Sequence, residues 1–154
     1  MSSANGDLLR ALRTKLRQSM PITEALGLRV EGREGTGVIL SAPIAPNVNH
    51  KGTAFAGSLN ATATLAGWGT IWLLLREHGV RSHVVIQDSA VHYFRPVRGN
   101  FTARCKGPST AAVERLVNAV KKRGRGRLAL DVMISDEGGD AVKFHGRYVA
   151  LGEG

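Results

Sequence analysis

Two short stretches of this chain hold the residues best suited to chemistry. The first, Pro46-Asn-Val-Asn-His-Lys-Gly-Thr-Ala-Phe-Ala-Gly-Ser-Leu59, delivers the amide of Asn49 and the imidazole of His50 to the start of an uncharged, largely apolar run. If that run is a helix, its first backbone N–H groups have no intrahelical acceptor and favour an anion or an oxyanion developing on a carbonyl. Ala54, Ala56, Gly57 and Ser58 are small enough to let a ligand approach that backbone. In this reading Asn49 orients water or a carbonyl, and the N–H groups of Ala56 and Gly57 form the oxyanion site. His50, an imidazole, is a candidate base. The second stretch is Asp88-Ser-Ala-Val-His92. In a regular strand Asp88 and His92 share one face and Ser89 takes the other. Asp88 and Glu77 are the carboxylates between Ala54 and Asn100, which makes Asp88 the acid/base candidate, with His50 as its helper. A structural hydrogen bond at Asp88, and a loop or N-cap bond at His50, compete evenly with those roles.

Metal chemistry finds no support: His50, His78, His83, His92 and His145 show no zinc spacing, and Cys105 is the lone cysteine. Cys105 alternates with polar neighbours in Phe101-Thr-Ala-Arg-Cys-Lys and reads as a core-facing strand residue. A single cysteine also suits a reducing, cytoplasmic setting. The formal charge of +9 attracts anions. Lys121, Lys122, Arg123, Arg125 and Arg127 cluster, and Arg95 and Arg98 share another loop. Such runs are usually a solvated face; a functional reading is a coenzyme A phosphate site or carrier-protein docking. Nucleic-acid binding would interleave aromatic residues with the basic ones, and only 5% of the chain is aromatic.

The elements that must position these groups follow from periodicity. Leu8, Leu9, Leu12 and Leu16 predict an amphipathic helix over about 7–19, within an N-terminal 1–20 segment that ends near Pro21. Leu26–Glu31 and Val38–Ala42, around a turn at Gly35–Gly37, predict a hairpin, and 43–54 a loop. The apolar run, taken as 55–78 with its closing Arg76-Glu77-His78, covers every side of a helical wheel and predicts a buried central helix. Ser58, Asn60, Thr62, Thr64, Gly67 and Gly69 dilute it too much for a membrane span. Strands are expected at Val84–Val97, Phe101–Cys105, Arg127–Ser135 and Ala141–Leu151, with a helix over 109–123 capped by Ser109 or Thr110. His145 alternates onto the solvent side. Together these predict an α+β chain, 1–154 as one domain: an antiparallel sheet wrapped round a long apolar helix, the hot-dog arrangement.

Asn49-His-Lys-Gly-Thr-Ala-Phe-Ala-Gly-Ser-Leu59, then Ala63-Thr-Leu-Ala-Gly-Trp-Gly69, then Asp88-Ser-Ala-Val-His-Tyr-Phe-Arg-Pro-Val-Arg-Gly99, resemble the hot-dog thioesterase-like domain of the YiiD C-terminal type. That domain occurs alone or behind an N-acetyltransferase domain, and the likeness runs from about Pro21 to Leu151. Better-studied hot-dog acyl-CoA thioesterases carry Asn-x-x-Gly-x-x-His-Gly-Gly and then an acidic residue along the helix. Asn49, Gly52 and Gly57 match; Phe55 stands at the His, Ala56 at the first following Gly, and Thr64 at the acidic position. A threonine is a poor general base without a neighbour. The resemblance implies side-by-side self-association, as a homodimer or tetramer, with sites at the interface. Its substrate would be an acyl-CoA or acyl-carrier-protein thioester, coenzyme A entering only as part of the substrate and no separate cofactor being needed. Phe55, Ser58, Ser89, Arg95 and Arg98 are then the substrate-binding candidates. Hydrolysis by activated water leads. Thioester binding without cleavage is the main rival, favoured by Thr64, and a hydratase or dehydratase is third.

Overall fold

The computed structural model describes residues 3–153. Four α-helices and six strands follow in chain order: α1 (Ser3–Ser19), α2 (Ile22–Leu26), β1 (Arg29–Glu34), β2 (Gly37–Ala42), α3 (Ala56–Glu77), β3 (Ser82–Tyr93), β4 (Phe101–Lys106), α4 (Thr110–Arg123), β5 (Arg125–Asp136) and β6 (Gly139–Gly152). All strand pairs are antiparallel, in the order β1-β2-β4-β5-β6-β3. The sheet curls round α3, so this is the hot-dog fold expected from the periodicity.

Alternation decides which face meets the helix. Leu40, Ala103, Val132, Phe144 and Tyr148 are buried on the inner face, while Arg104, Lys143, His145 and Arg147 face outward. α3 is buried along fifteen of its 22 residues, from Ser58 to Leu75, because the sheet covers it on one side and Leu9, Leu12 and Leu16 of α1 add to the same core. α4 starts on Ser109, whose side chain accepts a hydrogen bond from the Ala112 N–H at 3.2 Å. Its Val113, Leu116, Val117 and Val120 are buried, with Leu116 lying against Gly126 of β5. Cys105 is buried as expected, and burial pushes its thiol up to about 11. None of the helices among the described residues is long and apolar enough to cross a membrane.

Three expectations need correcting. Leu26 closes the short helix α2 rather than opening a strand, and β1 starts at Arg29. β3 stops at Tyr93 instead of running to Val97, because Pro96 cannot donate to a ladder. The helix expected over about 7–19, within the 1–20 segment, is seen as Ser3–Ser19 and so starts earlier; residues 1 and 2, like 154, lie outside the described residues.

Candidate functional site

The loop that ends at α3 is held by one side chain. Asn49 accepts through Oδ1 from the N–H groups of Lys51 (2.9 Å) and Thr53 (3.2 Å). Its Nδ2 donates to Thr53 Oγ1 (2.9 Å) and, more loosely, to Ala54 O (3.4 Å). Gly52 sits at φ +78°, a conformation that a side chain would strain, and so closes this turn. The loop is tied outward by Ala54 N–H to Val97 O (2.8 Å) and Phe55 N–H to Asn47 O (2.7 Å). Asn49 thus positions the helix start, and its own polar atoms are committed to the loop.

α3 begins without a side-chain cap. Phe55 is extended (φ −64°, ψ 131°), and its carbonyl accepts from Ser58 and Leu59. The N–H groups of Ala56 and Gly57 find no acceptor among the described residues. Two adjacent free donors at the positive end of a buried 22-residue helix are what a developing oxyanion needs. Ser58, only 8% exposed, makes no hydrogen bond through its hydroxyl to any described residue. Phe55 is exposed, its ring lying over Gly57.

Further along α3, Thr64 occupies the position where the resemblance implies an acid. Its hydroxyl donates to Asn60 O at 2.8 Å and lies 3.4 Å from Asn60 Oδ1, and its carbonyl accepts from Tyr148 Oη at 2.7 Å. Between Ser58 and Leu75 the incompletely buried residues of α3 are Asn60, Ala61 and Thr64, which with the exposed Gly57 are spaced three and four apart. β3 overhangs the helix start: Tyr93 donates its hydroxyl to Ala56 O at 3.3 Å. Ser89 shares the inner face with Tyr93. Asn60 and Tyr93 were not singled out as site residues from sequence. The signal for Asn60 was an amide one turn before Thr64 in an uncharged helix; nothing local distinguished Tyr93 from a packed aromatic.

Asp88 is elsewhere, and the expectation of an acid/base there is corrected. Ile86 pairs with Tyr148 and Asp88 with Arg147, so Gln87 is an extra residue in β3. This bulge reverses the alternation and turns Asp88, with His92, to the outer face, away from α3. There the Arg147 guanidinium grips both Asp88 oxygens, Nε to Oδ1 at 2.7 Å and a second bond beside it. That hydrogen-bonding lowers the Asp88 pKa, whereas a general base working near neutrality needs it raised. His92 packs against Phe94, ring centroids 4.9 Å apart. Asp88→Asn should leave whatever turnover the chain supports within about twofold of wild type, since exposed ion pairs contribute little; steady-state rates check this.

Arg95, expected as a substrate-binding residue, is engaged within the fold. Its guanidinium bonds Asp136 (NH2 to Oδ1, 2.5 Å), the Asp140 carbonyl (3.2 Å) and the Gly139 carbonyl, clamping the loop after β3 to the β5–β6 turn. Arg98 contributes its backbone N–H to Asp136 Oδ2 at 3.0 Å, and its side chain is exposed. The Arg95 bond, with those from Arg98 and Gly138, brings Asp136 down to about 2. A depressed carboxylate stabilises the fold above its unfolded pKa, about 3.9, and loses that contribution as pH falls through the folded value. Urea midpoints of wild type and Asp136→Asn should differ fully above about pH 4 and converge near pH 2. His50 is exposed at the loop tip and bonded to no described residue.

A recess of substantial size lies apart from these groups. It measures about 890 Å³, between α1–α2 and the ends of β1, β2 and β4, and none of the site candidates lines it. Among the described residues no three His, Cys, Asp or Glu side chains converge on a metal-sized space.

Comparison with known proteins agrees with the geometry. The family model described as "Putative thioesterase (yiiD_Cterm)" matches residues 9–152. A Chlorobaculum tepidum protein of unknown function is 29% identical over 97% of both chains, with a TM-score of 0.90. A "putative thioesterase" from Shewanella oneidensis is 28% identical, over 95% of this chain and 99% of its own, with a TM-score of 0.85. A "probable thioesterase" from Pseudomonas aeruginosa, at 22% identity over 94% and 95% and a TM-score of 0.79, shares the fold. With the family model covering nearly the whole chain, this protein belongs to the thioesterase family of the YiiD C-terminal type.

Proposed function

We propose that the chain hydrolyses an acyl thioester, with coenzyme A as the carrier, at the N-terminus of α3. The carrying observation is the pair of unpaired N–H groups of Ala56 and Gly57, presented by a loop that Asn49 staples. The thioester carbonyl accepts from both donors. Water then attacks its carbon, the oxyanion is held, and the thiol leaves when the tetrahedral intermediate collapses. Within this segment His50 is the group able to take the proton from water and return it to the sulfur. The acyl chain or the water then lies along the open stripe of α3 at Asn60 and Thr64, beside Ser58, Ser89 and Tyr93.

A second copy closes the site. β3 is a sheet edge of twelve residues without lysine, arginine, glutamate or proline, interrupted by the bulge at Gln87 and by the outward Asp88. Large apolar side chains stay exposed beside it: Val85, Tyr93, Phe94, Phe55 and Val48. An isologous contact along this edge covers them.

Free-thiol release from acyl-CoAs of graded chain length tests the reading. Release that falls in Asn49→Ala supports hydrolysis. Tight acyl-CoA binding with no release at any chain length would instead favour binding without cleavage, which Thr64 in place of a carboxylate favours.

A further inference from the structure

We infer that the Ser58 hydroxyl is a third donor to the oxyanion, beside the N–H groups of Ala56 and Gly57, which makes it a catalytic residue of this site. The inference rests on the hydrolase reading for its reaction, and on the following geometry for its place.

A hydroxyl inside an α-helix commonly turns onto the carbonyl four residues back. In α3, Thr62 donates to Ser58 O, Thr64 to Asn60 O and Thr70 to Ala66 O, each at 2.8 Å. Ser58 is the exception, and its position explains why. Four residues back lies Ala54, outside the helix, because the chain is extended at Phe55 (φ −64°, ψ 131°). The Ala54 carbonyl is already approached by Asn49 Nδ2 at 3.4 Å. The Ser58 N–H donates to Phe55 O at 3.0 Å, and its carbonyl takes the Thr62 hydroxyl. Its own hydroxyl bonds no described group, although the residue is only 8% exposed.

The Ser58 oxygen is not sealed, as the unpartnered Arg33 Nε and Asn47 Oδ1 are, so it keeps a narrow opening through which a ligand atom can meet it. The Cα–Cβ bonds of a helix tilt toward its N-terminus. Ser58, the third residue of α3, therefore leans its hydroxyl toward the end where Ala56 and Gly57 present their N–H groups.

A nearly buried hydroxyl without a protein partner is a cost that alanine at the same place would not carry. The arrangement gains when charge develops on a carbonyl oxygen beside it, since an O–H to an oxyanion is a short, charge-assisted bond. The hydroxyl keeps its proton throughout. Water supplies the new C–O bond, the C–S bond breaks, and nothing is transferred to Ser58. A serine nucleophile would need a base within hydrogen-bond reach of its oxygen, and none of the described residues provides one.

Ser58→Ala and Ser58→Thr test this by acyl-CoA kinetics, thermal melts and infrared spectra of bound hexanoyl-CoA with an isotope-labelled carbonyl. Ser58→Ala should lose about 10²-fold in kcat, the usual effect of removing one oxyanion donor, with KM within about threefold of wild type. Its melting temperature should equal or exceed that of wild type, because the group removed is an unpartnered hydroxyl. Ser58→Thr retains the donor and should keep kcat within about tenfold of wild type. Wild-type kcat in Ser58→Ala overturns the assignment. A loss of kcat accompanied by a fall in melting temperature overturns it as well, since packing would then account for both. If wild type releases no thiol, the hydrolase reading falls and the infrared spectrum still decides the donor. The bound thioester carbonyl should absorb at lower frequency than in buffer, and Ser58→Ala should return part of that shift. An identical carbonyl band in both proteins, or no binding of hexanoyl-CoA by either, ends the inference.

Discussion

On the proposed hydrolase reading, Asn49→Ala should lower kcat/KM for an acyl thioester by about 10²-fold while the protein stays folded. The side chain makes four hydrogen bonds inside residues 49–54 and none to any other element. Removing them costs about 1–3 kcal/mol, a tolerable loss for a domain of this size. The larger consequence is geometric. The N–H groups of Ala56 and Gly57 depend on this loop for their position, and misplacing reacting groups by about 1 Å costs about 10²-fold; losing one oxyanion donor costs about as much. Asn49→Asp retains the two acceptor bonds to Lys51 and Thr53 and loses the two donor ones, so its rate should fall between. Steady-state kinetics beside a thermal melt separates the two effects. An Asn49→Ala protein with wild-type kcat/KM would detach the loop from the chemistry.

Gly67→Ala should be the most destabilising single methyl in α3, at about 3 kcal/mol. A Cβ there would sit 2.2 Å from Tyr148 Oη and 2.6 Å from its Cζ. Tyr148 is 1% exposed and its hydroxyl is bonded to Thr64 O, so the ring has nowhere to retreat. Overpacking of about 1–3 kcal/mol adds to the lost buried hydrogen bond. The melting temperature should fall by roughly 10 °C. Tyr148→Phe alone should cost about 1 kcal/mol, because the Thr64 carbonyl keeps its place in the helix ladder. In the Gly67→Ala background it should cost less, or stabilise, since the closest atom is gone; calorimetry on the four proteins of this cycle reads the coupling directly.

The outcome at Asp88 shows where legibility stopped. Placing Asp88 and His92 on one face was correct as far as period two goes, and both do project together. Which face they share was decided at Gln87. In an unbroken strand Val84, Ile86 and Asp88 would all face α3; the extra residue sends Asp88 to the opposite side. A bulge leaves no compositional mark in Val84-Val-Ile-Gln-Asp-Ser-Ala, so no amount of pattern reading places that carboxylate. The contacts of Arg95 were illegible for a related reason. Its role comes from Asp136, 41 positions later, carried alongside by the β5–β6 turn.

Other features were carried by residues alone. The uncharged run from Ala54 to Leu75 cannot be satisfied except by burial, so a central helix followed whatever its neighbours were. Alternation in Leu128–Ile134 and Val142–Tyr148 set the inner and outer faces of β5 and β6. Asn49, Gly52 and the small residues after them marked the helix start as the place where a ligand could meet free donors. These are local properties, written in side-chain size, polarity and period. Tertiary structure decided the rest: which donors stay unpaired, that Tyr93 reaches Ala56, that Asn60 and Thr64 line the helix's open stripe, and that the basic residues collect at the far end of α3. Each depends on register and on the packing of elements far apart in the chain, and long-range pairing energies are not encoded in any one segment.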